Sequence, residues 1–163
     1  MAGFFDHRVT AIDGAPDLLG PLGGQVVLAV NVASRCGFTP QYAGLEQLQQ
    51  DLASERFTVV GFPCNQFGAQ EPGTEAQIKN FCERTYQVTF PMTAKVNTIG
   101  GDAHPFYKWV VAELGEDAAP RWNFHKYLIA PGGKAVYSFR SAVEPDGREI
   151  LSRLTPMLKP APP

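Results

Sequence analysis

The sequence predicts an α/β fold in which helices flank a central mixed β-sheet. Two apolar segments, 25–30 and 57–62, lack the alternation of a half-exposed strand, which indicates strands that are covered on both faces. A helical pattern over 42–52 lies between them, as expected for parallel strands joined by a crossover helix. Further along the chain, 124–130 and 135–140 flank a Pro-Gly-Gly turn, which predicts an antiparallel hairpin.

Other elements are predicted around this sheet. The dipeptide Asp13-Gly14 is a hairpin signal between a strand at 7–12 and a second short strand near Leu18-Leu19, so we expect an N-terminal β-hairpin. A cap or a proline precedes an apolar helix face at three places. These are Thr74 before Ile78, Phe81 and Cys82; His104-Pro105 before Phe106, Val110 and Leu114; and 145–147 before Ile150, Leu154 and Leu158.

Length and composition fit one domain spanning 1–163, with 44% hydrophobic residues to form its core. The net charge of -2 comes from dispersed charges, so the chain lacks the basic field that nucleic-acid binding needs. No apolar run approaches membrane-spanning length, so we expect no stable membrane insertion. The first eight residues do not resemble a secretory leader, which predicts a cytoplasmic protein.

The chain has three cysteines, Cys36, Cys64 and Cys82. Their number is odd and their spacing fits neither a secreted disulfide framework nor a metal site, so we expect no metal and no cofactor. Cys36 is followed by Gly37 and Phe38 and has no cysteine partner at position 39, which disfavours a dithiol oxidoreductase. Chemistry at a single reactive thiol is the role that remains for these cysteines.

Cys36 lies where an apolar strand stops and a helix is about to begin. Thr39 can cap that helix, and Pro40 suits its first turn. A thiol ahead of a helix start meets unpaired N–H groups and the positive end of the helix dipole, and both favour the thiolate. This context predicts a nucleophile, and the alternative interpretation is a small buried apolar residue.

Three motifs together resemble the glutathione peroxidase family. They are Asn-Val-Ala-Ser-Arg-Cys-Gly-Phe-Thr at 31–39, Gly-Phe-Pro-Cys-Asn-Gln-Phe-Gly-Ala-Gln-Glu-Pro-Gly at 61–73, and Trp-Asn-Phe-His-Lys-Tyr-Leu-Ile at 122–129. Lys95-Val96-Asn97 followed by Ala103-His104-Pro105 also resembles that family. The resemblance runs in order from about residue 6 to about residue 158.

The resemblance implies a thioredoxin-like fold and the reduction of hydroperoxides. It places Cys36 at the family's peroxidatic position, and Gln70, Trp122 and Asn123 at the other positions of a catalytic tetrad. The chemistry agrees, because amide and indole N–H groups are neutral donors that can stabilise a thiolate and the oxygen leaving the peroxide. Taken singly, the same side chains have other interpretations: Trp122 as core, and Gln70 and Asn65 as supports of the loop backbone.

No histidine is assigned a catalytic role. His7, His104 and His125 are interpreted as capping or surface residues, since donors around Cys36 would make a general base unnecessary.

Attack of the Cys36 thiolate on a peroxide gives a sulfenic acid, which a second thiol must reduce. In thioredoxin-dependent members that this chain resembles, the resolving cysteine lies in the helix after the Gln-Glu-Pro-Gly loop. Cys82 is in that helix. Counted back from Phe90-Pro91, it lies one residue earlier than the resolving cysteine of the plant and insect members, which turns its side chain by about 100° around the helix. Cys64 is the alternative resolving thiol, and the expected reductant is thioredoxin or glutathione.

Only residues 110–121 separate Trp109 from Trp122, too few for the long oligomerisation loop of the family's tetrameric members. The resemblance therefore implies an open site and a monomer. Two alternative functions are a peroxide-sensing relay protein, which would use the same Cys36 but pass its oxidation to a partner, and a non-catalytic thioredoxin-like binding domain, which the complete tetrad disfavours.

Overall fold

A four-stranded mixed sheet forms the centre of the protein, which a computed structural model describes over residues 3–158. The strands are β1 (Val26–Val32), β2 (Phe57–Pro63), β3 (Lys126–Ile129) and β4 (Ala135–Phe139). Their order is β2-β1-β3-β4, with β1 parallel to β2 and the other two pairs antiparallel. The predicted mixed sheet is confirmed, while residues 1–2 and 159–163 of the predicted domain lie outside the described range.

Helices cover both faces of the sheet. They are α1 (Gln41–Leu52), α2 (Glu75–Tyr86), α3 (Pro105–Leu114) and α4 (Arg148–Leu154). The side chains of β1 alternate between two apolar clusters: Leu28 packs in one with α1, α2 and α4, and Val27 packs in the other with α3. Because both faces are buried, apolar residues occupy both faces of β1, which explains the missing alternation in the sequence.

Two of the predicted helix starts carry the expected caps. The Gln77 N–H donates to Thr74 Oγ1 (3.2 Å) and the Thr74 N–H donates to Gln77 Oε1 (2.9 Å), which completes a capping box at α2. At α3, the Phe106 N–H donates to His104 Nδ1 (3.2 Å), so the capping role expected of this histidine is confirmed.

The predicted N-terminal β-hairpin is wrong in its strands. The chain reverses at Asp13-Gly14, but no strand forms on either side within the described residues, and Ala11 makes only an isolated bridge to Thr93. Two features explain this: Asp13 Oδ1 takes the Ala15 N–H (3.1 Å), and Pro16 has no N–H to donate to a ladder.

A buried lysine anchors the segment between β4 and α4. Lys126 is fully buried, and its Nζ donates to the carbonyl oxygens of Ser141 (2.9 Å) and Val143 (2.5 Å). Gln41, at the start of α1, donates its Nε2 to the same Ser141 oxygen (2.8 Å). Burial lowers the pKa of Lys126 to about 7, against the opposing charge of Glu144. These contacts tie the start of α1 to the sheet.

Between residues 3 and 158, none of the helices combines the length and the apolar character needed to cross a bilayer.

Candidate active site

Cys36 lies in the turn between β1 and α1, with 8% of its surface exposed. The Phe38 N–H donates to its Sγ at 3.3 Å, so a backbone N–H near the helix start meets the sulfur as predicted. Thr39 does not cap α1, contrary to our prediction, and Pro40 precedes the first helical residue. Instead Thr39 Oγ1 accepts the Cys36 N–H (2.9 Å) and donates to the Ala33 carbonyl (2.8 Å), which closes the turn that holds the cysteine.

The loop after β2 packs against this turn. The Arg35 N–H donates to the Gln70 carbonyl (3.1 Å), which brings Gln70 beside the residue that precedes Cys36. Gly68 and Ala69 have φ angles of 68° and 51°, so the loop bends through two consecutive left-handed residues. The Glu71 N–H donates to Asn65 Oδ1 (2.9 Å), which makes Asn65 a support of the loop backbone, as its alternative interpretation proposed.

The segment before β3 meets the same loop. Asn123 is fully buried, and its Nδ2 donates to Gln70 Oε1 (2.9 Å) and to the Phe67 carbonyl (3.3 Å). The Trp122 ring lies against the backbone of Gly68, where a Cβ atom would stand only 2.9 Å from Trp122 Cη2. Phe124 has a φ of 65°, an uncommon conformation for a bulky residue, directly after these two side chains.

The structure therefore brings Gln70, Trp122 and Asn123 together beside the Cys36 turn. Within residues 3–158, the hydrogen bond to Cys36 Sγ comes from the Phe38 N–H, and none comes from those three side chains. Their convergence on the sulfur stays a prediction. Catalytic hydrogen bonds are often longer in the resting enzyme and shorten when the reacting group is present.

A family model described as glutathione peroxidase matches residues 4–111, well over half of the chain. The chain belongs to the glutathione peroxidase family. The hydroperoxy fatty acid reductase gpx1 of Synechocystis sp. is 48% identical over 162 residues, which cover 94% of this chain and 95% of that protein. That alignment extends well beyond the family-model match.

Solved structures agree with the assignment. The crystal structure of T. cruzi GPX1 superposes with a TM-score of 0.76 at 30% identity, covering 96% of both chains. A thiol:disulfide interchange protein of the thioredoxin family from Chlorobium tepidum TLS reaches a TM-score of 0.59 at 19% identity, covering 90% of each chain, a likeness that shows the fold alone. The predicted family and thioredoxin-like fold are confirmed.

The other two cysteines of this glutathione peroxidase family member are buried and free. Cys82 lies in α2 with 2% of its surface exposed, and burial raises the pKa of its thiol to about 11, with Glu71 and Glu83 adding to the effect against Tyr42. Cys64 is fully buried after β2, and its Sγ lies 3.6 Å from Thr98 Oγ1. Neither thiol forms a disulfide with Cys36 in this structure.

One expectation for the histidines is wrong. His125 is neither a cap nor a surface residue: it is 3% exposed, and its Nε2 lies 2.7 Å from Ser138 Oγ. Burial lowers its pKa to about 4, and the charges of Lys126 and two arginines act in the same direction. His125 directly precedes β3, and its ring centroid lies 4.9 Å from that of Tyr127, a contact that the neighbouring sequence does not signal.

Sequence reasoning missed two buried polar residues. Asn31, within β1, donates its Nδ2 to the Trp122 carbonyl (3.0 Å) and accepts the Phe124 N–H on its own carbonyl (2.6 Å), so it positions the Trp122-Asn123 pair. An asparagine inside an apolar strand was the available signal. Glu71 is 1% exposed, although its neighbours in the sequence are typical of a solvated loop, so no signal distinguished it.

Proposed function

We propose that the chain is a cysteine-based hydroperoxide reductase in which Cys36 is the peroxidatic nucleophile. Family membership makes it a peroxidase, an oxidoreductase that acts on hydroperoxides. The observation that carries the assignment of Cys36 is its position: the thiol lies just before a helix start, accepts the Phe38 N–H, and belongs to the turn whose Arg35 N–H donates to the Gln70 carbonyl. The thiolate attacks one peroxide oxygen, the O–O bond breaks, and water or an alcohol leaves while the sulfur becomes a sulfenic acid.

Gln70, Trp122 and Asn123 complete the proposed site. Two of them are linked through the Asn123 to Gln70 hydrogen bond, and the Trp122 ring packs on the loop that carries Gln70. Neutral N–H donors are suited to this step because they stabilise both the thiolate and the departing oxygen without supplying a proton that would quench the nucleophile.

Cys82 is the proposed resolving thiol, with Cys64 as the alternative, and thioredoxin is the proposed reductant of the resulting disulfide. Support comes from the position of Cys82 in α2, which shares one apolar cluster with Cys36. Cys64 belongs to neither apolar cluster and its Sγ contacts Gln66 and Thr98. A disulfide intermediate suits a protein reductant that exchanges thiols, and glutathione is the alternative electron donor.

Separate observations support the proposed substrates, oligomeric state, location and domain organisation. The Synechocystis relative is named for its action on hydroperoxy fatty acids, and we propose organic and lipid hydroperoxides together with hydrogen peroxide as substrates here. Segment 110–121 is short, which supports a monomer. Three free cysteines support a reducing, cytoplasmic location. One sheet carries both apolar clusters, which supports a single peroxidase domain over 1–163.

A coupled assay tests the proposal. NADPH consumption is followed with thioredoxin and its reductase, or with glutathione and its reductase, over hydrogen peroxide, an organic hydroperoxide and a phospholipid hydroperoxide. We expect steady turnover with thioredoxin and none for a folded Cys36→Ser variant. A Ser variant that keeps most of the rate would disprove the assignment of Cys36, and a single turnover without recycling would instead favour a peroxide sensor.

A further inference from the structure

Three buried polar groups lie between the Cys36 turn and the helix that carries Cys82. Ser34 Oγ, Tyr42 OH and Glu71 Oε2 are each shielded from solvent, and none makes a hydrogen bond of good geometry among the described residues, although Ser34 lies beside the Glu71 carboxyl and Tyr42 beside the Cys82 thiol. They come from three separate elements: Ser34 from the end of β1, Tyr42 from α1, and Glu71 from the loop after β2. Unpaired buried polar atoms are rare in proteins, and a catalytic role is one established reason for them.

Glu71 is the central member of this group. Its carboxyl is close enough to Tyr42 and to Cys82 for its negative charge to raise the pKa of both. Ser34 lies beside the carboxyl, and the positive charges that face it are Arg35, from the Cys36 turn, and Lys95. The Glu71 carboxyl therefore lies beside the segment that precedes Cys36, and its charge also acts on the thiol of α2.

A cavity of about 310 Å³ adjoins this carboxyl. Ser34, Arg35 and Glu71 line one wall, and Gln77, Ile78 and Phe81 of α2 line the opposite wall. Cys82 directly follows Phe81 but borders a separate cavity beside Lys79 and Glu83, so α2 must unwind locally for its thiol to move past Glu71 towards Cys36. The cavity of about 310 Å³ therefore lies between the segment that precedes Cys36 and the helix that carries Cys82, with Glu71 on its wall.

We propose that Glu71 carries the proton of the Cys82 thiol to the oxygen that leaves Cys36 during disulfide formation. This inference rests on the proposed resolving role of Cys82. The Glu71 carboxylate accepts the S–H proton, and the Cys82 thiolate attacks the Cys36 sulfur. The S–S bond forms as the S–O bond breaks, and the leaving hydroxide takes the proton from the Glu71 carboxylic acid. The products are one disulfide, one water molecule and the original carboxylate.

The chemistry of the two groups explains why a relay is needed. A thiol with a pKa of about 11 keeps its proton at neutral pH, and only the thiolate is an effective nucleophile. Burial raises the pKa of the Glu71 carboxyl against the opposing effects of Ser34, Lys95 and Arg35, so it holds a proton more readily than an exposed glutamate does. A carboxyl of that kind can both accept and return a proton during one reaction.

The test separates the two chemical steps of one turnover. Reduced protein receives one equivalent of hydrogen peroxide, samples are quenched in acid over time, and the Cys36 sulfenic acid and the Cys36–Cys82 disulfide are counted by dimedone labelling and peptide mapping from pH 5 to pH 9. For Glu71→Gln, which keeps the shape and loses the proton transfer, we expect sulfenic acid to accumulate and disulfide formation to slow at least tenfold.

Two further variants distinguish proton transfer from packing. In wild type, disulfide formation should slow as falling pH protonates Glu71, and we call this decrease the acid limb of the pH profile. Glu71→Gln should lack the acid limb, and Glu71→Asp should retain it. The matched control is Glu83→Gln, which removes a negative charge beside Cys82 on the exposed side of α2 and should leave the acid limb in place.

The outcomes are distinct. Wild-type protein that forms no Cys36–Cys82 disulfide would contradict the resolving role of Cys82. A wild-type disulfide that forms equally fast in Glu71→Gln, with the same acid limb, would overturn the relay alone. If Glu71→Gln does not fold, Glu71→Asp decides: an acid limb supports proton transfer, and its loss assigns Glu71 to packing.

Discussion

The side-chain amide of Asn123 donates to Gln70 Oε1 at 2.9 Å, which joins the segment before β3 to the loop after β2. An amide has an accepting end and a donating end. Because Asn123 occupies the oxygen of Gln70, the Nε2 end is left to donate elsewhere. The backbone carbonyl of Gln70 accepts the backbone N–H of Arg35, next to Cys36. The orientation of the Gln70 side chain therefore suits donation from Nε2 towards the Cys36 turn.

We predict that Asn123→Asp slows peroxide reduction although it changes few atoms. A carboxylate cannot donate to Gln70 Oε1, so the Gln70 amide should rotate and donate its Nε2 to the new carboxylate instead. The oxygen of Gln70 would then face the thiolate in place of an N–H. We expect the rate constant for Cys36 oxidation to fall about 10- to 100-fold, measured by stopped-flow tryptophan fluorescence with excess peroxide.

The exposed Asn97 offers a matched control for this change. Asn97→Asp introduces the same negative charge away from Gln70, and we expect its rate to stay within about twofold of wild type, because exposed charges are strongly screened. Equal rates for Asn123→Asp and wild type would show that the orientation of Gln70 does not affect the reaction.

The sequence predicted the sheet and the helices because buried strands and capped helices leave local patterns. The apolar runs of β1 and β2 correspond to strands with two buried faces, and Thr74 with Gln77 forms the expected capping box. The tetrad residues were found for a different reason: they lie in motifs that the chain shares with a known family. Those motifs reflect common ancestry as well as the physical requirements of the local structure.

What sequence reasoning missed depends on contacts between distant segments. Thr39 is a residue type that often caps helices. Here its hydroxyl instead bonds the backbone of Ala33 and Cys36, because the chain turns sharply after β1. His125 is buried because β3 pairs with β4, and Glu71 is buried because its loop folds onto the Cys36 turn. Neither burial is visible in the residues next to them in the chain.

We predict that Gly68→Ala impairs the site through Trp122. The glycine has a φ of 68°, and an added Cβ would lie 2.9 Å from Trp122 Cη2, in a ring that cannot bend away. The variant should lose about 1 to 3 kcal/mol of unfolding free energy and should have lower peroxidase activity. Chemical denaturation and the coupled assay measure the two effects.

Gly14→Ala is the matched control for that substitution. Gly14 also has a positive φ, 96°, but an added Cβ would meet nothing within 4 Å. It should show a loss of about 1 kcal/mol from backbone strain and no loss of activity. Equal losses of activity in the two alanine variants would exclude the Trp122 contact as the cause.

The stability of the protein should depend on the protonation of His125. Burial lowers the pKa of this histidine from 6.5 to about 4, so the unfolded chain binds the proton more readily than the folded protein does. The stabilisation from neutral His125 is therefore complete above pH 6.5 and is lost as pH falls towards 4, by an amount on the order of 3 kcal/mol.

Urea unfolding of wild type and His125→Gln between pH 4 and pH 7 measures this contribution. Glutamine can keep a hydrogen bond to Ser138 and does not titrate in this range. We expect the difference in unfolding free energy to favour wild type near pH 7 and to shrink or reverse near pH 4. Parallel pH profiles for the two proteins would show that His125 does not titrate as its burial indicates.

Oxidation should loosen α2. Cys82 is packed in the reduced protein with Ile78, in the apolar cluster that also contains Cys36. A disulfide requires Cα atoms about 4.4 to 6.8 Å apart, and a thiol held inside a helix must leave it to approach a cysteine on another element. Unwinding α2 gives up its packing on α1, so the oxidised form should be less stable than the reduced form, with local opening as the accessible route.

Hydrogen exchange after treatment with one equivalent of peroxide tests this prediction. Amides of residues 75–86 should exchange faster in the oxidised protein, while those of β1 should remain protected, and the melting temperature should fall. Cys82→Ser is the control, because its oxidised form cannot make the bond and should keep the exchange pattern of reduced α2. A Cys36–Cys64 bridge in the peptide map, with α2 still protected, would transfer the resolving role to Cys64, and a lasting sulfenic acid with Cys82 still open to alkylation would transfer it to an external thiol.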